Sequence, residues 1–143
     1  MKVAIVGPVY PYRAGIAYCT TRLAEELGAD VISFKRQYPK RFYPGGDDID
    51  PTLPRFNADF SLDVLNPLTW FRARRKLRAY DVVIFVWWIW VWALPYRVMT
   101  GAAKRVILQC HNIGEKEPGW WKRALANMRS SSETLILPVP WIV

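Results

Sequence analysis

A chain of 143 residues is long enough for one compact domain and short for two. Its hydrophobic share of 52% supports a real core and excludes wholesale disorder. Lys and Arg outnumber Asp and Glu by 20 to 12, and a net charge of +8 draws anions: nucleic acid, phosphorylated small molecules or acidic lipid head groups.

Met1-Lys2 runs straight into Val3-Ala4-Ile5-Val6, with the pattern of a secretory signal absent. That short apolar run, ended by Gly7, fits a strand buried on both faces of a parallel sheet. A proline-punctuated loop, 8–14, leads to a helix over Gly15–Leu27. Ile16, Cys19, Leu23 and Leu27 fall near one face of it, and Gly28 suits the position just past its end. Val31–Phe34 is the second strand, completing a β-α-β unit with a right-handed crossover. Residues 35–63 form a long loop excursion carrying Pro39, Pro44, Pro51, Pro54, Gly45-Gly46 and the acids Asp47, Asp48 and Asp50. Short strand pieces fit within it, and both a functional loop and a bare insertion stay open.

Asn66-Pro67 opens the next helix, an N-cap residue followed by proline at the first helical position. It runs to about Ala79, with Arg72, Arg74, Arg75, Lys76 and Arg78 crowding its later turns. Cations there complement the helix dipole, so a solvated basic face is the plain reading. Docking of an anionic membrane or partner on residues 72–78 is the sharper one. Asp81 leads into a strand over Val82–Val86. From Val82 to Tyr96 the chain is almost wholly apolar and holds Trp87, Trp88, Trp90 and Trp92. At about 15 residues it falls short of the ~20 that a spanning helix needs. A buried strand followed by an aromatic-rich surface or helix start accounts for it, with interfacial membrane contact through Trp87–Trp92 as the alternative. A helix follows from Leu94-Pro95 to Ala103, then a strand over Val106–Cys110 that ends at His111-Asn112. A loop over 113–119, a helix over Trp120–Met128 and a strand over Thr134–Leu137 complete the pattern.

Strands alternating with helices define an α/β fold, a Rossmann-like doubly wound parallel sheet in one domain over 1–143. The apolar ending, Pro138 to Val143, has no helix after it and reads as a missing partner layer or an early stop. Cys19 and Cys110 make no CxxC pair, sit among apolar neighbours, and read as two reduced core thiols. One histidine and two distant cysteines make no metal cluster, so no metal and no resident cofactor are expected.

In an open parallel sheet, ligands bind beyond the carboxyl ends of the strands. Two features fall there. The loop Gly7 to Gly15 lacks the GxGxxG fingerprint, but Gly15 sits at a helix start, where free amides and the dipole favour a phosphate. A plain helix-initiating glycine is the competing account. The second feature is His111, the single histidine, at the end of a buried strand and followed by a polar loop with Glu115 and Glu117. An imidazole there can hydrogen-bond a sugar hydroxyl or a reacting oxygen.

The segments Lys2–Gly7, Pro11–Ala17 and Thr21–Leu27, then Asp81–Phe85 followed by tryptophans, then Val106–Asn112, together resemble the N-terminal domain of retaining GT-B glycosyltransferases of family 4. The likeness runs to about Leu125. It implies two Rossmann-like domains facing across a cleft, this one on the acceptor side and a C-terminal one holding a nucleotide-sugar donor. In the family a glycine pair before the first helix meets the donor diphosphate; here it reads Ala14-Gly15, so Gly15 and Ile16 carry that role and Ala14 brings a methyl group near the ligand. The family histidine that meets the transferred sugar maps to His111. Arg13, Asn112 and Glu115 are the candidate acceptor-side contacts. The family's pair of donor-domain glutamates has no counterpart, so the chain is expected to be inactive alone.

The leading expectation is thus the N-terminal domain or a fragment of a glycosyltransferase acting on a glycan or lipid-linked acceptor. Its expected placement is cytoplasmic, peripheral at the inner face of the membrane, and no nucleic acid is expected as partner. The alternative is a non-enzymatic basic module binding nucleotide or nucleic acid, and a third is an inert truncation product that barely folds.

Overall fold

A computed structural model describes residues 1–42, 48–111 and 133–138. The expected helix over Trp120–Met128, together with Asn112 and Glu115, lies outside the described residues. In chain order the elements are β1 (Val3–Val6), α1 (Gly15–Leu27), β2 (Asp30–Arg36), β3 (Asp59–Asp63), α2 (Pro67–Leu77), β4 (Val82–Trp87), α3 (Ala93–Thr100), β5 (Arg105–Cys110) and β6 (Glu133–Pro138). Short 3-10 turns occur at Lys40–Phe42 and Trp90–Trp92. All described strands pair in parallel in one sheet of order β3-β2-β1-β4-β5-β6. The chain is therefore an α/β protein with a Rossmann-like sheet.

The continuous apolar runs became the interior strands because both of their faces are covered. Every residue of β4 is buried, and Ala4, Ile5 and Val6 of β1 are fully so. Successive side chains alternate between faces. Ala4, Val6, Val83, Phe85 and Trp87 join Trp70, Ala73 and Leu77 of α2 and Tyr96 and Met99 of α3 in one core. Ile5, Val82, Ile84 and Val86 meet Ala24 of α1 in the other. The two cores lie on opposite faces of one sheet.

Four expectations need correction. The buried face of α1 is Ala17, Thr20, Thr21 and Ala24, while Cys19 and Leu27 are exposed and Leu23 only half-buried. Small residues let the helix lie close on the sheet. The threonines satisfy their own hydroxyls on the preceding turn, Thr20 Oγ1 donating to Ile16 O at 2.8 Å and Thr21 Oγ1 to Ala17 O at 2.7 Å. Cys19 is consequently a surface thiol; Cys110 is buried.

Second, the excursion over 35–63 is shorter than expected at both ends, and the short strand piece that fitted within it is a sheet edge. β2 continues to Arg36, and β3 pairs beside it through irregular register. The sequence Asp-Phe-Ser-Leu-Asp alternates as a half-covered edge strand does, but its short length and acidic ends resemble loop composition. Third, of the readings of the tryptophan run, a buried strand followed by a helix start holds and a surface band does not. Trp87 and Trp92 are completely buried, so neither can reach a membrane. Trp92 packs on Phe34 with ring centroids 4.3 Å apart and donates its indole N–H to Gln37 O at 2.9 Å. Trp88 and Trp90 are half-buried. Fourth, α3 closes at Thr100 and α2 at Leu77, earlier than their expected ends at Ala103 and Ala79. In both, the chain leaves the helix through i to i+3 turns, Ala103 N bonding Thr100 O and Ala79 N bonding Lys76 O. Among the described residues, no helix is long and apolar enough to cross a membrane.

Candidate functional site

The strand order reverses between β1 and β4, since the chain first winds outward from β1 through β2 and β3 and then returns to pair β4 on the other side of β1. The loops leaving the carboxyl ends of these strands bound the crevice where ligands bind in such sheets. Gly7 makes the approach of β1 and β4 possible: a Cβ at Gly7 would lie 2.8 Å from both Cβ and Cγ2 of Val86. This glycine is a packing requirement.

From Gly7 the loop runs over the rim and is tied down from three sides. Tyr10 N donates to Thr21 Oγ1 of α1 at 3.0 Å. The buried Tyr12 hydroxyl donates to Phe34 O of β2. Burial, with the nearby Asp48 charge, raises the pKa of that phenol, so it stays a donor. The excursion supplies the third side: Arg13 N donates to Asp48 O at 2.8 Å, Asp50 N to Pro11 O at 2.8 Å and Phe56 N to Tyr10 O at 3.2 Å, while Tyr12 and Ile49 form an antiparallel bridge. Residues 48–56 therefore buttress the loop, which answers the question of a bare insertion for that stretch.

The loop delivers the chain into α1 through Ala14 at φ 117° and ψ 154°. That region is occupied almost only by glycine, and holding another residue there costs about 1–3 kcal/mol. No side chain caps the helix, and no acidic residue stands in its first turn. The first amides of an α-helix have no intrahelical partner, so those of Gly15 and Ile16 face the rim with the positive dipole end behind them. A Cβ added at Gly15 would meet nothing within 4 Å, so the space before the helix is open. Arg13 is exposed beside it and acts electrostatically on Asp50, whose carboxyl is held below its usual range chiefly by hydrogen bonds from Thr52.

His111 follows β5, so it lies on the same carboxyl rim as Gly15 and Ile16. β4 alone separates β5 from β1, a lateral span of about 10 Å at two strand spacings. His111 N donates to Trp87 O at 2.8 Å, which fixes the backbone against the end of β4. The ring is half-buried, burial lowers its pKa, and among the described residues its buried Nε2 has no hydrogen-bond partner. At neutral pH it is an uncharged imidazole.

Tyr96, which sequence reasoning passed over, closes the crevice from the α3 side. Its hydroxyl donates to Val86 O at 2.9 Å and lies 3.5 Å from Val6 O, joining the carboxyl ends of β4 and β1. Complete burial raises its pKa well above the phenol range, keeping the proton in place. Nothing in the local pattern around Tyr96 announces those acceptors, which come from two distant strands. Among the described residues, no group of three His, Cys, Asp or Glu side chains is placed to hold a metal.

These features define the class: a Rossmann-like α/β domain with an uncapped helix start and, on the same rim, an imidazole without a partner among the described residues. Comparison with protein-family models, curated proteins and solved structures finds no match.

Proposed function

We propose that this chain forms the acceptor-side wall of a nucleotide-sugar-dependent glycosyltransferase. The observation that carries the reading is the strained Ala14, which turns the free amides of Gly15 and Ile16 outward on the rim that also bears His111. Backbone strain of this kind persists only where the surroundings over-determine it, and here the Tyr10–Arg13 loop is tied to α1, β2 and the excursion.

In this reading, the amides and dipole of α1 stabilise the negative charge that builds on a departing diphosphate. Uncharged His111 hydrogen-bonds a hydroxyl of the sugar being transferred, and a proton need not be lost first, because burial already keeps the ring neutral. Arg13, Asn112 and Glu115 contact the acceptor. The transfer proceeds with retained configuration through an oxocarbenium-like state, and a second domain supplies the donor's nucleotide contacts and the acidic residues this sequence lacks. The enzyme class is supported by the residue-level resemblance and by the rim geometry together.

Titration of the isotope-labelled chain with pyrophosphate and with a uridine diphosphate sugar, followed by amide and imidazole NMR shifts, tests it. Perturbation is expected at Gly15, Ile16 and the His111 ring, stronger in Ala14→Gly. Shifts confined to the opposite rim overturn the reading. Tight, salt-sensitive oligonucleotide binding at the basic surface would favour the nucleic-acid alternative instead. Sugar transfer by the purified chain alone would contradict the half-site reading.

A further inference from the structure

The outer face of α2 combines two properties that seldom share an exposed helix. Leu68, Phe71, Arg72 and Arg75 follow the i, i+3, i+4, i+7 spacing of a single helix face. Trp70, Ala73 and Leu77 occupy the opposite face and are buried. Leu68 is 65% exposed and Phe71 55%, and Leu65, just before the helix, is 57% exposed. Arg72, Arg75 and Arg78 are exposed, and none meets a carboxylate among the described residues; Lys76 pairs with Asp59. The helix itself, Pro67–Leu77, contains no acid.

The apolar residues are held out by a rigid turn. Asp63 Oδ1 accepts from Leu65 N at 2.9 Å, Asn66 Oδ1 from Leu68 N at 3.1 Å, and the Trp70 indole donates to Asp63 O at 2.8 Å. α2 begins at the carboxyl end of β3 and α3 at that of β4, so Leu65, Leu68 and the 58%-exposed Leu94 of α3 all stand near the carboxyl rim.

We infer that this face docks the protein on an anionic lipid bilayer, with Leu65, Leu68 and Phe71 entering the acyl boundary and Arg72, Arg75 and Arg78 meeting lipid phosphates. Charge decides the occupant. A second copy of the chain would bring the same unpaired arginines against these, whereas an acidic bilayer neutralises them and accepts the apolar side chains in the same contact. The surface is a helix face and not a groove, which suits a deformable, extended partner. The inference is independent of the proposed transferase activity. It keeps the membrane contact expected at residues 72–78 and drops the one expected from Trp87–Trp92, because the buried Trp87 and Trp92 cannot supply it.

Co-sedimentation of the full chain with phosphatidylglycerol vesicles and with neutral phosphatidylcholine vesicles tests it. Binding is expected to the anionic vesicles, to weaken as salt rises, and to fall about five-fold for each of Arg72→Gln, Arg75→Gln and Arg78→Gln. Leu68→Ser and Phe71→Ser each reduce it about ten-fold. Thermal melts of the variants check that each is folded, as expected for substitutions at exposed positions. Equal binding to neutral vesicles, no binding at low salt, or unchanged binding by folded variants overturns the inference. So does a concentration-dependent dimer that Phe71→Ser dissociates, which would assign the face to a second copy.

Discussion

Ala14 stands where a backbone turn asks for glycine, at φ 117°. Substitution to glycine removes the Cβ strain but adds the conformational freedom that glycine loses on folding. The strain is the larger of the two, so Ala14→Gly is expected to raise unfolding stability by about 1 kcal/mol in a denaturant titration. No gain, or a loss, would mean that the loop relaxes around the alanine. The sequence shows Ala14-Gly15 but not which of the two carries the positive φ; that depends on bonds from Asp48, Asp50 and Phe56, distant in the chain. His111 was legible as a rim residue because it directly follows a mostly apolar strand, Val106 to Cys110. Its Nε2, buried without a partner among the described residues, was not, since that depends on how the ring is packed and not on the residues next to it.

Among the elements, the clearest in the sequence were those with strong local punctuation. Asn66-Pro67 caps α2 as expected, and Gly28 adopts the left-handed conformation that closes α1. The face of α1 was misjudged because hydrophobicity was weighed above size, and a helix seated close on a sheet favours alanine and threonine over leucine. The closeness of β1 and β4 gives a direct test. Gly7→Ala would force its methyl group against Val86 and is expected to destabilise the fold by about 1–3 kcal/mol. Combined with Val86→Ala, the two changes should cost less than the sum of the singles, a coupling readable in a double-mutant cycle from chemical denaturation. Strict additivity would show that the contact does not govern the strand pairing. The edge strand β3 was legible only as a short strand piece somewhere in the excursion, because prolines and acids around its alternating pattern have loop composition.

At the scale of the whole molecule, parallel winding was readable from the alternation of elements, whereas the order of the strands was not, because adjacency in a sheet is set by crossovers and not by composition. The distribution of charge sets how the molecule responds to acid. Burial lowers the pKa of His111 in the folded state, so the unfolded chain takes up that proton first as pH falls below about 6.5. Stability should therefore decline with acidification from there until the folded-state value is passed, and His111→Gln should remove this step. A second decline begins lower. Asp81 accepts Lys2 N at 2.8 Å and Lys104 Nζ at 3.0 Å, and these bonds hold its carboxyl below the usual range. Its contribution is present above about 3.8 and is lost as pH falls through the folded-state value. Melting temperatures of the wild type and His111→Gln across this range check both steps; a single step identical in the two proteins would refute the first.

The central position of β1 has a consequence for how the protein is made. Its first partner, β2, leaves the ribosome soon after it, but its other edge pairs with Val82–Phe85 and waits for most of the described chain to be synthesised. Until then the nascent protein carries a fully apolar strand with one side open, a template for association with neighbouring polypeptides. Translation speed across residues 37–81, and holdase capture of the newly made β1, thus bear directly on how much of the product reaches its native state.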